Sequence, residues 1–228
     1  MKRRTGRVAT VLIGLCGVMA STVAFAGGEE GFPGEGRRYG VTITNLTRGQ
    51  VITPPIVIVH DAAFQLFSPG SAAIPELAAL AEEGNTAPLQ GILPADPAVL
   101  GATTAPGPLM PGSSVTLEVS VPGPYKYITA AGMLAISNDA FFAIRGESVP
   151  ATGESTAEAA AYDAGSEANL ELCRDIPGPP CGNGGVRNTA GAEGYVHVHA
   201  GIHGIGDLDP AQHDWRNPVA EVRIAPIR

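Results

Sequence analysis

Apolar and polar residues alternate in four stretches of this chain, which is the pattern of a half-buried β-strand. In the first stretch, residues 39–46, Val41 and Ile43 fall on one face, and Thr42 and Thr44 fall on the other. The same alternation recurs in residues 113–121, 194–202 and 217–227. We therefore predict four strands that each turn one face to a core.

Three other stretches are also predicted to be strands, and their apolar residues come in runs, as in strands buried on both faces. They are residues 54–67, which contain the β-branched run IVIV, 127–137 and 140–146. The dipeptide Asn138-Asp139 separates the last two and predicts a tight turn. Residues 157–165, AEAAAYDAG, fit either a helix by their alanines or a strand by the turn signals around them.

One segment, residues 71–84, has the spacing of an amphipathic helix. Ser71 is a candidate N-cap, and Gly84 is placed to end the helix. The apolar face is formed by Leu77, Leu80 and Ala81. Residues 85–113 are rich in Pro, Ala and Gly, and we expect a long connection there.

These elements predict an all-β protein. About eight strands are separated by Gly, Pro, Asn and Asp turns, and the βαβ alternation of a parallel sheet is missing from the pattern. The expected fold is an antiparallel eight-stranded Greek-key β-sandwich, similar to C2 domains, with one short helix in a long connection.

The N-terminus reads as a secretory signal peptide over residues 1–26. A basic start is followed by an apolar stretch and the small-x-small motif AFA, Ala24 to Ala26. The Gly/Glu-rich residues 27–38 are expected to be a disordered lead-in, and residues 39–228 the β-sandwich domain. The protein is thus expected to be exported, to the periplasm or out of the cell.

Cleavage after Ala26 changes the charge of the chain. It removes four basic residues, so 10 of the 14 Lys and Arg remain against 22 Asp and Glu, a net charge of about −12. Such a surface repels nucleic acid and anionic lipid and attracts cations. We expect no nucleic-acid partner, and a membrane partner is unfavourable.

Two cysteines remain after cleavage, Cys173 and Cys181 in CRDIPGPPC. In an oxidising compartment, a pair this close in sequence most simply forms one local disulfide. The alternative is a metal-thiolate site, but the spacing lacks the C-x-x-C pattern of such sites.

Three carboxylates lie in two predicted turns: Asp139 in SNDAFF, and Asp163 and Glu167 in YDAGSEAN. Calcium prefers six to eight oxygen ligands on flexible loops, so these side chains are a candidate calcium site. Gly165 would let the turn bend toward the ion. The alternative is that Asp139 and Asp163 form Asx turns with their own backbone.

The histidines of HVHAGIH are a second candidate. His197 and His199 would share a strand face, and with His203 nearby they could bind zinc or copper. The alternative is that these side chains pack on a polar sheet face. The chain has no G-x-S-x-G motif for a nucleophilic serine, and we expect no enzymatic activity.

Taken together, these motifs resemble the spondin domain, the N-terminal module of F-spondin and mindin. The most specific parts are SNDAFFAIRG and AYDAGSEAN, supported by GYVHVHAGIHG and HDWRNPVAEVRI, and the resemblance runs from Tyr39 to Ile227. It implies an eight-stranded sandwich similar to C2 domains, with Ca²⁺ bound by loop carboxylates at one end.

Carried over position by position, the resemblance implies that Asp139, Asp163 and Glu167 are the calcium ligands, with Glu167 where animal members often have Asp. The expected function is an exported, calcium-binding, non-enzymatic binding or adhesion module with an unidentified extracellular or periplasmic ligand. The alternatives are a zinc- or copper-binding protein using His197, His199 and His203, or a calcium-dependent membrane-docking domain.

Overall fold

A computed structural model describes residues 36–227. The predicted signal peptide, and all of the predicted lead-in except its last three residues, lie outside them. The first strand begins at Arg37, so those last residues belong almost wholly to the sheet and not to a disordered segment.

The described chain forms nine strands, and every pairing between them is antiparallel. The strands are β1 (Arg37–Asn45), β2 (Ile56–His60), β3 (Val99–Thr104), β4 (Ser114–Val121), β5 (Tyr127–Met133), β6 (Ala140–Ser148), β7 (Ser155–Asp163), β8 (His197–Val198) and β9 (Ala220–Pro226). The all-β prediction is confirmed, and the ambiguous alanine-rich segment is strand β7.

The strands follow one another in the order β3-β2-β5-β6-β7-β9-β1-β4, and β8 adds to β7. Strand β7 joins two sheets: Ser155–Ala159 pairs with β9, whereas Ala160–Asp163 pairs with β6. The first sheet is therefore β4-β1-β9-β7, and the second is β3-β2-β5-β6-β7 with β8. Neighbours that are distant in sequence, such as β1 and β4, are expected for a sandwich with long crossovers.

The burial pattern explains why strands of the two sheets have different sequences. Strand β1 alternates between buried and half-exposed residues, because its outer face meets solvent. All five residues of β2 are buried. One face of β2 packs in the core between the sheets with Val57 and Val59, and the other packs under two helices with Ile56 and Ile58. Continuous apolar runs thus mark the strands covered on both faces.

The connection between β2 and β3 holds two helices, not one, α1 (Pro75–Glu83) and α2 (Ala87–Ile92). The predicted cap was wrong, because α1 begins at Pro75, whose fixed φ suits a first helical position. The backbone carbonyl of Ser71 instead accepts a hydrogen bond from Val196 N–H at 2.8 Å. Gly84 ends α1 in the left-handed conformation, as predicted.

Two further predictions fail. The segment 85–113, predicted to be one long connection, instead contains α2 and β3. The strand predicted over 194–202 is reduced to His197–Val198, and Val196 is buried while Val198 is exposed.

A third short helix, α3 (Pro210–His213), precedes β9. None of the helices in residues 36–227 has the length and apolar character needed to cross a membrane.

Cys173 and Cys181 form the predicted disulfide. It closes a short loop after the Asp163–Glu167 turn, and Ile176 inside that loop is fully buried in the core between the sheets. A disulfide is compatible with an exported protein.

Candidate metal centre

The predicted carboxylates Asp139, Asp163 and Glu167 all lie at one end of the second sheet, and all are almost completely buried. Asp139 immediately precedes β6, and Asp163 is the last residue of β7. The strand register pairs Ala140 with Asp163, and Ala164 N–H donates to the Asp139 carbonyl at 3.1 Å. Adjacent strand ends therefore bring Asp139 and Asp163 side by side, as predicted.

The Asx-turn alternative is correct for Asp163 but not for Asp139. Asp163 Oδ1 accepts from Gly165 N–H, two residues on, at 2.6 Å. Asp139 Oδ2 instead accepts from the Ser166 and Glu167 N–H groups at 2.7 and 3.0 Å. Asp139 Oδ1 is buried and has no hydrogen-bond partner within the described chain. Asp139 thus ties the turn after β7 to the turn before β6 and keeps one oxygen free.

The Glu167 side chain takes a different direction from its backbone. Its backbone N–H donates to Asp139 Oδ2. Its carboxylate instead accepts a hydrogen bond from Asn188 N–H at 2.7 Å and lies near Glu82 and Asp175. Burial, together with these two acids, raises the pKa of Glu167 to about 7. A ligand role for Glu167 stays a prediction.

A different trio converges at this end. One ligand atom each from Asp163, Glu193 and His197 lie within 4.8 Å of one another. Strand pairing places His197 opposite Asp163, and Gly194 N–H donates to the Gly165 carbonyl at 2.8 Å, which fixes the chain next to Glu193. Asp139 and Glu167 are not members of this trio.

Gly165 makes this arrangement possible. Its φ is +64°, and a Cβ atom there would collide with the backbone of Tyr195. The close approach of the two segments therefore requires glycine. Sequence reasoning missed Glu193, because it lies in the Gly-rich stretch before β8 and 30 residues after Asp163.

Asn169 links the carboxylates to a buried histidine. Its Nδ2 donates to Asp163 Oδ2 at 2.5 Å and to Glu193 Oε1 at 3.3 Å, and its Oδ1 lies 3.2 Å from His199 Nε2. Gly201 N–H donates to His199 Nδ1 at 2.9 Å, so the neutral ring carries its proton on Nε2 and donates to Asn169. Both nitrogens of His199 are thereby engaged.

His197 has the opposite tautomer. Its Nδ1 lies 3.2 Å from the Tyr195 carbonyl, which can only accept, so the neutral ring carries its proton on Nδ1. The Nε2 lone pair then faces Asp163 Oδ2 at 3.8 Å. A histidine that donates through one nitrogen to a backbone carbonyl and keeps the other free is oriented as metal-binding histidines are.

The predicted three-histidine set is not assembled. His203 is exposed, and its ring lies 3.3 Å from the Ala200 carbonyl, outside the converging trio. Its backbone N–H donates to Glu171, a buried residue with φ of +56° whose carboxylate also accepts from the next two N–H groups. Glu171 thus shapes the loop after His199, and no sequence motif marked it.

The electrostatics of the centre follow from burial of like charges. Burial and the neighbouring Asp163 charge raise the pKa of Asp139 to about 8. Burial also raises the pKa of Asp163, against the opposing hydrogen bonds from Asn169 and Gly165. Burial lowers the pKa of His199 to about 4, so this ring is neutral at pH 7. A bound cation would remove the repulsion between the carboxylates.

The arrangement provides two carboxylates and one imidazole around a small volume, with Asp139 beside them. These residues fit a divalent cation in chemistry and in charge. The sequence matches no known family model and no curated protein.

Proposed function

We propose that this protein is an exported, non-enzymatic binding module that holds a divalent cation at one end of the second sheet. We call this region, which contains Asp139, Asp163 and Glu193, the loop end. The observation that carries the proposal is the convergence of Asp163, Glu193 and His197 within 4.8 Å at the end of β7. A cation would tie the β7 turn to the segment before β8, and so order the surface that meets an extracellular or periplasmic ligand.

Calcium is the first ion proposed. It is supported by two carboxylates in the trio, by the buried Asp139 beside them and by the acidic charge of the chain. The resemblance to the spondin domain favours the same ion, with Asp139, Asp163 and Glu167 as ligands. At a hundredfold excess over its Kd, a bound ion would raise the free energy of unfolding by about 2.7 kcal/mol.

Zinc is the second candidate, and one observation favours it. His197 presents a free Nε2 to Asp163, and imidazole nitrogen is a ligand for zinc and copper rather than for calcium. The predicted partner histidines do not join it, so the zinc ligands would be His197, Asp163 and Glu193.

Isothermal titration of purified protein with Ca²⁺ and, separately, Zn²⁺ tests the proposal. Asp163→Asn is expected to lose binding of either ion. The matched control Asp209→Asn should bind as the wild type does, because Asp209 is an exposed helix cap and Asn caps equally well. Failure of the wild type to bind either ion would refute the proposal.

His197→Ala separates the two ions. It should leave calcium binding within about twofold and should abolish zinc binding. His203→Ala, at an exposed histidine outside the trio, is the control and should change neither. Loss of calcium binding in His197→Ala would contradict the calcium assignment.

A further inference from the structure

The face of the second sheet that lies under α1 and α2 is mainly apolar, apart from Thr104 beside α2 and a polar group farther along the sheet. In that polar group, Thr129 of β5 pairs with Arg145 of β6, and the His60 ring of β2 lies 2.9 Å from the Thr129 hydroxyl. We call these three residues the His60 row. The register pairs Ile58 with Thr129 and Thr129 with Arg145, and His60 stands two residues beyond Ile58 on the same face.

Within the row, His60 and Thr129 are fully satisfied by the protein. His60 Nδ1 donates to the Asp61 carbonyl at 2.7 Å, so the Thr129 hydroxyl, 2.9 Å away, donates to Nε2. The hydroxyl oxygen also accepts from Gly146 N–H at 3.0 Å. These two side chains have no donor left for another molecule.

Arg145 differs from the seven other arginines in residues 36–227. Five of those seven pair with a carboxylate and two donate to a backbone carbonyl; they are Arg38, Arg174, Arg187, Arg216 and Arg223, then Arg37 and Arg48. Within the described chain, the exposed guanidinium of Arg145 does neither. It lies 5.5 Å from the centre of the Phe67 ring and 5.9 Å from that of Tyr162. The aromatic contact orients the charge and leaves its N–H groups for a ligand.

A cavity of about 200 Å³ opens next to this guanidinium. Its lining consists of Phe64, Gln65, Leu66, Phe67, Thr129 and Arg145. Sites for drug-sized ligands are roughly 300–1,000 Å³, so this one suits a single ring with a short acidic group. The Gln65 carboxamide can add a second polar contact next to the guanidinium.

We propose that this cavity binds a small aromatic carboxylate. The carboxylate meets the planar fork of Arg145, which matches it in two parallel hydrogen bonds, and the ring lies against Phe64 and Phe67. The site is separate from the metal centre, because none of its lining residues belongs to the Asp163 trio.

NMR titration of the metal-free protein with benzoate tests the site, with benzamide as a neutral ligand of the same shape. Benzoate should cause saturable shifts at residues 64–67, 129 and 145, and benzamide should bind at least roughly tenfold more weakly, as expected for loss of a charged hydrogen bond. Arg145→Gln should weaken benzoate binding to a similar degree. Arg223→Gln, an exposed arginine on β9, should have no effect.

Arg145→Lys keeps the charge but loses the planar fork, so it should fall between wild type and Arg145→Gln. Near-ultraviolet circular dichroism checks that each variant is folded. If Arg145→Gln does not fold, the Arg145→Lys variant and the comparison of benzoate with benzamide decide the result. Equal binding of benzoate and benzamide, unchanged affinity in both Arg145 variants, or no saturable shift with benzoate would overturn the assignment. Asp163→Asn should leave benzoate binding intact, whatever the outcome of the metal titrations.

Discussion

At the His60 row, the buried pair His60 and Thr129 finds all its hydrogen-bond partners inside the protein. At the loop end, two buried polar atoms have none in the described chain, Asn138 Nδ2 and Asp139 Oδ1. Both clusters sit on the second sheet, and all four of these side chains, His60 and Thr129 on one side and Asn138 and Asp139 on the other, are buried. They differ in whether the fold alone can satisfy them.

Burial acts on the two clusters in opposite directions. It lowers the pKa of His60 and so favours the neutral ring that the hydrogen bonds require. It raises the pKa of Asp139 to about 8, because the charged form would be buried beside the Asp163 charge, so without a cation this carboxyl group keeps its proton near neutral pH. A cluster whose hydrogen bonds are all made within the protein needs no further ligand. A cluster of buried carboxyl groups, by contrast, is stabilised by a bound cation. This difference agrees with our proposal that the loop end binds a metal ion.

The largest expected effect comes from breaking the aromatic packing beside the His60 row. Phe67 is buried and meets Phe141 and Tyr162 edge to face, with centroids 5.2 and 4.9 Å away. Phe67→Ala should lower the free energy of unfolding by about 3 kcal/mol, because it leaves a cavity. Urea denaturation measures this. The control Phe67→Leu should lose clearly less free energy of unfolding, and the proposed metal ion should still stabilise both variants. A loss below about 1 kcal/mol for Phe67→Ala would contradict this packing.

Removal of the disulfide is expected to have the next largest effect. The double variant Cys173→Ser with Cys181→Ser should lower the free energy of unfolding by about 2.5 kcal/mol, since the unfolded chain regains the freedom of a short loop. Urea denaturation of oxidised and reduced wild type gives an independent measure. Because no member of the proposed metal-binding trio lies in this loop, the folded double variant should still bind the proposed ion. Equal stability of the oxidised and reduced protein would count against the prediction.

The pH dependence of the metal-free protein sharpens the contrast at the loop end. The folded-state pKa of Asp139, about 8, lies above its ordinary value of 3.8, so the folded protein binds this proton more tightly than the unfolded chain does. The associated stability is complete below the ordinary value and is lost as pH rises through about 8. Glu167, with a pKa of about 7, acts in the same direction.

With a chelator present, the melting temperature should therefore fall between pH 5 and pH 9. Asp139→Asn should reduce the fall and stabilise the metal-free protein at pH 9 by on the order of 1 kcal/mol. Adding the proposed ion should also reduce the fall in melting temperature between pH 5 and pH 9. A flat profile in the chelated wild type would show that these carboxyl groups do not titrate as described.

The smallest expected effect is the opposite pH dependence at the His60 row. The pKa of His60 is lowered from its ordinary 6.5, so the unfolded chain takes up this proton more readily, and stability is lost as pH falls below that value. His60→Gln should lose less stability than the wild type between pH 7 and pH 5, as followed by thermal unfolding. A steeper loss in the variant would reverse the interpretation. The buried His199, with a pKa of about 4, supplies acid sensitivity that remains in the variant.

The sequence predicted the elements whose hydrophobic pattern is strong and local. Strands β1, β4 and β9 alternate because one face meets solvent. Strand β2 begins with the apolar run IVIV and is buried along its whole length, because helices cover its second face. Strand β3, VLGATT, escaped prediction because it has few large apolar side chains. Its strand conformation comes from pairing with β2, which no local pattern records.

Local sequence signals also predicted part of the candidate site. Asp139 lies in the turn before β6 and Asp163 begins the turn after β7, and strand pairing brings them together. Glu193 and Asn169 could not be found from spacing. Glu193 reaches the site only because a segment far along the chain packs against Gly165, and Asn169 only because His199 fixes the direction of its amide.

By itself, the sequence determined the antiparallel β class, the disulfide between Cys173 and Cys181 and the end of the sheet where the acidic residues gather. These follow from periodicity, sequence proximity and turn residues, which act over a few positions. The tertiary structure alone decided that Glu193 and His197 join Asp163, and that the Arg145 guanidinium, beside a cavity, has no hydrogen-bond or salt-bridge partner within residues 36–227. A ligand set depends on distances of a few ångströms between atoms of remote segments, and strand register and loop packing set those distances.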